Sequence, residues 1–483
     1  MKKTDLRKAF QADFRAVSPV PERFPVETLP SNEKRYVNLR GILGWTAGGI
    51  AIAFGLVVVI AISSVLAMGF RTEESLHREK RVYAQNVGSA LKEDYFKALN
   101  SVEYPSLSGG RNQIEAAFVD DAQKFTNSVY GALDIGGSNF AFAPLSLYGN
   151  LMMASSAYEG DQSGFDSLLG GEAASRASEF RKAYENDYFV DADGSLQMYN
   201  GAFLSSTYRP NRDYVNALSA MYAEAYGVDF TNEKAFAEIS KWADERVDED
   251  GFISPEEIEC ENPLLYLLST FSFKGTWRNG YSTADTKEGL FVSASGESQK
   301  IDFMNHLYGG LVYEFGDYVA VDDQYNDDLD IVYLTPRSSG DDILALTSGK
   351  DIFALPEENL ASTLYVDLTV PKFSLSSELR FGEALSSLGL GDLYDPSSSA
   401  LAGAFADYPD GAPASLEETY QKNEISMDED GTTAKSVTFS LGGGAAAPVE
   451  EDNTYVVDLD SPFLFYIKDA SGIPLFMGYV AEV

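Results

Sequence analysis

The segment Asp248-Glu-Asp-Gly-Phe-Ile-Ser-Pro-Glu-Glu257 carries the side chains most suggestive of chemistry in this 483-residue chain. Gly251, Ile253 and Glu257 fall at the sixth, eighth and twelfth places of a calcium-binding EF-hand loop. The first place is then Arg246, a cation where a carboxylate has to ligate, so no metal site is assigned here. Asp191-Ala-Asp-Gly194 and Asp428-Glu-Asp-Gly431 lack the closing acid, and the run Asp322–Asp330 reads as a solvated loop. Cys260 is the single cysteine, which excludes an internal disulfide, and no histidine near it in sequence would activate it. His77 and His306 are the only histidines, and neither has chemical neighbours in the sequence. That removes most Ser-His-Asp and His-metal schemes. Walker loops, dinucleotide fingerprints and Gly-x-Ser-x-Gly elbows are missing as well. The chain therefore reads as neither an enzyme nor a holder of a cofactor or metal.

Charge and hydropathy set the organisation. The chain has 74 acidic against 36 basic residues, a net charge of −38, which argues against a nucleic-acid partner. Hydrophobic residues make up 45 %, enough for a large core. The imbalance is uneven, because residues 1–40 hold nine bases and five acids and are net positive. Residues 41–70 follow without a charged side chain, and about 20 apolar residues suffice to cross a bilayer. We expect a basic cytoplasmic tail at 1–40, a transmembrane signal-anchor at 41–70, a stalk at 71–111 and a globular domain at 112–483. Excess Lys and Arg before the span would hold the N-terminus inside and the acidic domain outside the cell. A signal peptide cleaved after Val65-Leu-Ala67, with secretion, is the alternative.

The elements of the globular part are mixed. Gln113–Leu133 and Leu145–Ala157 have helical apolar spacing. Phe140–Pro144 is short and apolar, and Pro263–Phe273 reads as a strand. Leu364–Val370 alternates strictly, and Glu378–Leu388 reads as a helix. Pro462–Ile467 and Pro474–Val480 form a hairpin turning at Asp469–Gly472. Without a regular βαβ alternation, the fold class is α+β.

The most specific stretch follows Asn423-Glu-Ile-Ser-Met427. Thr432, Ala434, Ser436, Thr438 and Ser440 are all small, whereas Thr433, Lys435, Val437, Phe439 and Leu441 are mostly larger. A period of two gives each set its own face of a strand. Yet this strand runs into Gly442-Gly-Gly-Ala-Ala-Ala-Pro448, which cannot be a stable core element.

Here the chain resembles the serpin family of protease inhibitors. Glu429-Asp-Gly431-Thr432-Thr-Ala434 is similar to the family's Glu-x-Gly-Thr-x-Ala hinge. Phe271-Ser-Phe-Lys-Gly-Thr-Trp277 resembles its Phe-Lys-Gly-x-Trp strand, and Phe142-Ala-Pro-Leu-Ser146 its Ser-Pro-x-Ser segment. Ile239-Ser-Lys-Trp242, Gly251–Ile253, Pro371–Phe373, Pro462–Phe465 and Leu475–Gly478 fit in family order. The resemblance implies a large, mostly antiparallel central sheet, surrounding helices, further sheets and an exposed reactive-centre loop. It also implies a sheet-opening cluster at Ser146, Ser269 and Gln421. Ala143, Ser269 and Gln421 stand where the family usually has Ser, Asn and His.

By that resemblance the chain is a monomeric suicide-type inhibitor of serine proteases. The protease cleaves the loop and becomes an acyl-enzyme, and the loop, with hinge Glu429, Gly431, Thr432, Thr433, Ala434, Lys435, Ser436, Val437 and Thr438, inserts into the sheet. The family's usual count from Glu429 places the reactive bond at Ala445–Ala446, with Ala446–Ala447 as the neighbouring candidate because the loop is long. A small residue at that bond suits elastase-like or subtilisin-like targets. The alternative is a non-inhibitory serpin-fold binding or surface module.

Overall fold

The computed structural model of the chain describes residues 95–105, 111–190, 194–247, 249–260, 263–362, 365–433 and 453–483. The chain divides into two units, Met1–Asn86 and Val87–Val483. The expected tail and span, 1–40 and 41–70, lie outside the described residues. Among the described residues no helix is long and apolar enough to cross a membrane.

The second unit is built on three sheets. The largest has the order β1 (Phe96–Ala98), β5 (Ala223–Val228), β4 (Ser195–Ser205), β6 (Leu265–Thr276), β15 (Gly431–Thr433), β14 (Tyr420–Asp428) and β13 (Phe373–Arg380), with β3 (Phe189–Val190) also on β4. A six-stranded sheet runs β2 (Phe140–Phe142), β18 (Pro474–Val480), β17 (Phe463–Lys468), β11 (Asp330–Pro336), β10 (Tyr318–Gln324) and β9 (Val312–Glu314). A four-stranded sheet runs β16 (Thr454–Asp458), β12 (Tyr365–Pro371), β8 (Ser298–Tyr308) and β7 (Lys287–Val292).

Helix α1 (Ala116–Ala132) presents Phe118, Phe125 and Val129 to the core. Helix α2 (Pro144–Ala157) starts with proline at its first position, where the missing N–H costs nothing. It is mostly apolar and buried along almost its whole length, with Ser146, Asn150 and Ser155 as buried polar exceptions. Helix α3 (Ala235–Val247) buries Phe236, Ile239 and Trp242 in a second core that includes Phe203 of β4 and Leu268 of β6. A short helix, α4 (Pro255–Ile258), joins α3 to β6; Ser254 and Glu257 form its capping box.

Three expectations change. Residues 95–105 are not a free stalk, since β1 pairs antiparallel with β5 and Asn100 accepts a hydrogen bond from the Ala225 N–H. Glu378–Leu388 is helical only from Gly382 onward, as an α-turn at Gly382–Leu385 that continues into a π-helical turn at Ser386–Leu390. Its first residues end β13, where Phe373, Leu375 and Ser377 are buried and Ser374, Ser376 and Glu378 exposed, so the period of two prevails. Asp322–Asp330 is not simply a solvated loop: its ends belong to β10 and β11, and Asp323 is fully buried.

Candidate functional site: the hinge and the seam of the large sheet

Strands β14 and β15 form a tight antiparallel hairpin with Asp428 opposite Gly431, Met427 opposite Thr432 and Ser426 opposite Thr433. The other edge of β15 pairs antiparallel with β6, setting Gly431, Thr432 and Thr433 against Thr276, Gly275 and Lys274. Strands β6 and β14 therefore run in the same direction on either side of a three-residue wedge. Beyond Thr433 they share no ladder pair among the described residues.

A cavity of 40 Å³ lies along this seam, bounded by Phe271 and Phe273 of β6, Asn423 and Ile425 of β14, and Thr432 at its head. Phe252 closes it from the α3 side and Phe476 of β18 from the other. That volume holds a water or two, not a strand. A further strand needs β6 and β14 to part by about 4.8 Å, one strand spacing.

The hinge is gripped by the residues around it. Lys372 Nζ lies 2.7 Å from Glu429 Oε2, and the Thr286 hydroxyl donates to Oε1 at 2.7 Å. Burial opposes ionisation of Glu429, yet Lys372 and Thr286 hold its carboxyl below the ordinary value. The Trp277 indole N–H donates to the Asp428 carbonyl at 2.9 Å. Trp277 stacks on Tyr325 with centroids 4.6 Å apart, and the Tyr325 and Thr432 hydroxyls are hydrogen-bonded at 2.6 Å. Gly431 has φ 146°, and a β-carbon there would stand 2.0 Å from the Gly275 carbonyl oxygen, so only glycine fits. Thr432, the first even-numbered hinge position, is buried.

The expected cluster of Ser146, Ser269 and Gln421 is two separate networks. Gln421 accepts from the Ala143 N–H at 3.0 Å and donates to the Ala143 carbonyl at 3.1 Å, tying β14 to the start of α2. Asn423 donates to the Ala141 carbonyl at 3.1 Å and to Gln421 at 3.3 Å. Ser269 donates to Asn200 Oδ1 at 2.7 Å and accepts from Asn150 at 3.5 Å. Ser146 Oγ is buried without a hydrogen-bond partner among the described residues. Sequence reading missed Asn150, Asn200 and Asn423; for Asn200 and Asn423 an asparagine at a buried position of a strand was the available signal, whereas Asn150 lies on α2.

On the other face, Lys422 Nζ of β14 meets Glu257 Oε1 of α4 at 3.1 Å. That ion pair ties β14 to the connection between α3 and β6. Helix α3 is itself pinned, because Arg246 reaches Glu224 of β5 at 2.5 Å and the Trp242 N–H donates to the same carboxylate at 2.8 Å. Tyr104 and Tyr226 complete the shell of donors around Glu224.

The calcium-like loop is put to structural use. Asp244 accepts from the Gly251 and Ile253 N–H groups, Glu257 caps α4, and Arg246 is held by Glu224. Cys260 is half-buried, and burial followed by nearby Glu417 pushes its thiol up to about 12. His306 does have neighbours: its ring is stacked between Tyr281 and Tyr308, and Nε2 lies 3.3 Å from buried Asp323. Ala434, Lys435, Ser436, Val437 and Thr438, with the bond at Ala445 and Ala446, lie outside the described residues.

The site is thus a three-residue wedge between two parallel strands, gripped at its head by side chains from the surrounding elements. A family model described as Serpin (serine protease inhibitor) matches residues 120–483, and the chain belongs to that family of protease inhibitors. Human Serpin B7 is 24 % identical over 370 residues, covering 72 % of this chain and 93 % of that protein. Serpin-ZXA of Oryza sativa subsp. japonica is 25 % identical over 377 residues, covering 72 % and 90 %. The native-state crystal structure of the thermophilic serpin Tengpin superposes with a TM-score of 0.68 at 21 % identity, covering 80 % of this chain and all of that one.

Proposed function

We propose that this chain is a suicide-type inhibitor of serine proteases and that cleavage near Ala445–Ala446 lets the segment after Thr433 enter the seam between β6 and β14. The observation that carries the reading is the wedge itself. β15 already occupies the head of the seam, in register with both neighbours and with Thr432 facing inward. Continuing that register puts Ala434, Ser436 and Thr438 on the buried face, where none is bulky or charged, and Lys435 on the outer face opposite Glu424. A strand paired on both edges for about ten ladder hydrogen bonds, each contributing about 1 kcal/mol, gains roughly 10 kcal/mol, comparable to a domain's stability. That is enough to displace and distort a covalently attached protease. Alanine at the bond fits an elastase-like or subtilisin-like target. Residues 41–70 anchor the chain in a membrane with the inhibitory domain outside the cell.

The test is incubation with pancreatic elastase, subtilisin and trypsin, followed by denaturing electrophoresis. A protease–inhibitor band that survives denaturation with elastase or subtilisin is expected. Cleavage without such a band would instead make the chain a non-inhibitory member. Fractionation addresses the anchor, and a soluble product starting near Met68 would refute it.

A further inference from the structure

Exposed apolar residues are unevenly placed. Among the described residues the large apolar side chains standing in solvent are Leu290, Leu307, Leu311, Leu360, Tyr365 and Val456. Leu290, Leu307, Tyr365 and Val456 belong to the four-stranded sheet, whereas Leu311 and Leu360 flank β9. Single exposed apolar residues are ordinary, but their concentration on one sheet marks an interaction face.

Register makes two of them a unit. Leu307 of β8 and Val456 of β16 both lie opposite Asp367 of β12. Leu307 is 45 % and Val456 59 % exposed. The three form one row across adjacent strands, about 10 Å from end to end, with the carboxylate in the middle. Asn305 donates to Asp367 at 2.7 Å and holds it in place. We propose that the row Leu307–Asp367–Val456 is a second contact for the target protease, taking a basic side chain of the enzyme ringed by apolar ones.

This rests on the inhibitor reading above, and chain length supplies the occupant. Strand β16 is where the chain re-enters the described structure after Thr433, so Val456 is ten residues from Ala446. Ten extended residues reach at most about 35 Å. A protease of about 230 residues has a radius of gyration of about 17 Å, so its body spans much of that reach. An enzyme holding the bond in its active site is thus kept within contact distance of the row. The net charge of −38 favours a basic enzyme surface here and speeds its approach.

The test uses the full chain with pancreatic elastase and subtilisin, comparing the wild type with Leu307→Thr/Val456→Thr and with Leu290→Thr. Threonine keeps the strand preference of the positions. Leu290 is equally exposed but pairs with Lys300 near the other end of β8, and serves as control. With the enzyme that the wild type traps, the double variant should form covalent complex about tenfold more slowly at unchanged stoichiometry, with the control within twofold of wild type. Asp367→Asn should flatten the salt dependence of the rate. An unchanged rate in the double variant, while the wild type still traps, overturns the docking row and leaves the inhibitor reading standing. So does a slowdown accompanied by altered stoichiometry, which would place the effect in insertion. Wild-type dimerisation that the double variant abolishes in sedimentation would assign the row to a second copy. A wild type that traps neither enzyme removes both proposals.

Discussion

Replacing Ser436 by arginine tests the register of the proposed insertion most directly. Continuing the wedge register places residue 436 opposite Phe271 on β6 and Asn423 on β14, on the buried face. Asn423 is 5 % exposed, and its amide is already committed to the Ala141 carbonyl and Gln421. The nearest acid on β14, Glu424, faces the other way and is exposed. A guanidinium driven into that position is a buried charge without a partner, which costs about 3–5 kcal/mol. Against roughly 10 kcal/mol from new ladder bonds, insertion stays downhill. Its rate suffers, however. If about half the cost, ~2 kcal/mol, is felt at the barrier, the step slows by about thirtyfold. Hydrolysis of the acyl-enzyme then wins, and Ser436→Arg should become mainly a substrate. Titration against elastase, with complex and cleaved inhibitor resolved on a denaturing gel, should show the stoichiometry of inhibition rising at least tenfold. Lys435→Arg, one residue earlier on the outer face, should behave as wild type. Wild-type stoichiometry in Ser436→Arg would show that the register does not continue past Thr433.

Lys422→Met removes the ion pair with Glu257 that ties β14 to α4, worth about 1 kcal/mol at this partly buried site. Inhibitory activity should decay severalfold faster on warming without protease; an unchanged decay would show that the pair does not restrain the seam. Tyr325→Phe leaves the buried Thr432 hydroxyl without its partner, at about 1–3 kcal/mol. The hinge should become more sensitive to limited proteolysis, and equal sensitivity would count against Tyr325 as its restraint. Burial pushes Asp322 up to about 6 from an ordinary value of 3.8. The folded chain then keeps a proton that the unfolded chain releases, so this group's stability contribution is complete below about pH 4 and is lost as pH rises through 6. Asp322→Asn, which retains an acceptor for the Leu311 N–H, should stabilise the chain by up to about 3 kcal/mol at pH 7 and hardly at pH 3.5. Urea unfolding at the two pH values checks this, and an equal effect at both would refute it.

What sequence could reveal followed periodicity and local sterics. The helix expected at Leu145–Ala157, the alternating β12 and the C-terminal hairpin were legible because burial on one or both faces leaves a pattern of fixed period. Of the expected inward set of the hinge, Thr432 is buried, and Ala434, Ser436 and Thr438 lie outside the described residues. Errors arose where tertiary context decides. Nothing local shows that Phe96–Ala98 borrows an edge from β5, or that Asp323 is buried against Tyr281 and His306 from distant segments. The network beneath the sheet was half-legible. Gln421 was identified, but its partners are the Ala143 backbone groups and Asn423, rather than Ser146 and Ser269. A contact between a side chain and a backbone group leaves no signature in residue types.

The direction of the strands supplies a physical reason why the proposed insertion would be downhill. Because β15 is antiparallel to both neighbours, β6 and β14 are parallel to each other. Direct closure of the seam would make at most one parallel ladder, whose slanted bonds are slightly weaker per residue. Entry of a strand from above, turning back as β15 does, makes two antiparallel ladders instead. It adds backbone pairs on both edges and keeps the hydrophobic faces of β6 and β14 covered. In the proposed mechanism the intact chain would not reach that state cheaply, because β16, where the chain re-enters the described residues, is paired into the four-stranded sheet. Cutting the connection between Thr433 and β16 removes that tie. In the proposed mechanism the direction of β6 and β14 supplies the thermodynamic drive, and the connection to β16 supplies the restraint that a protease would release.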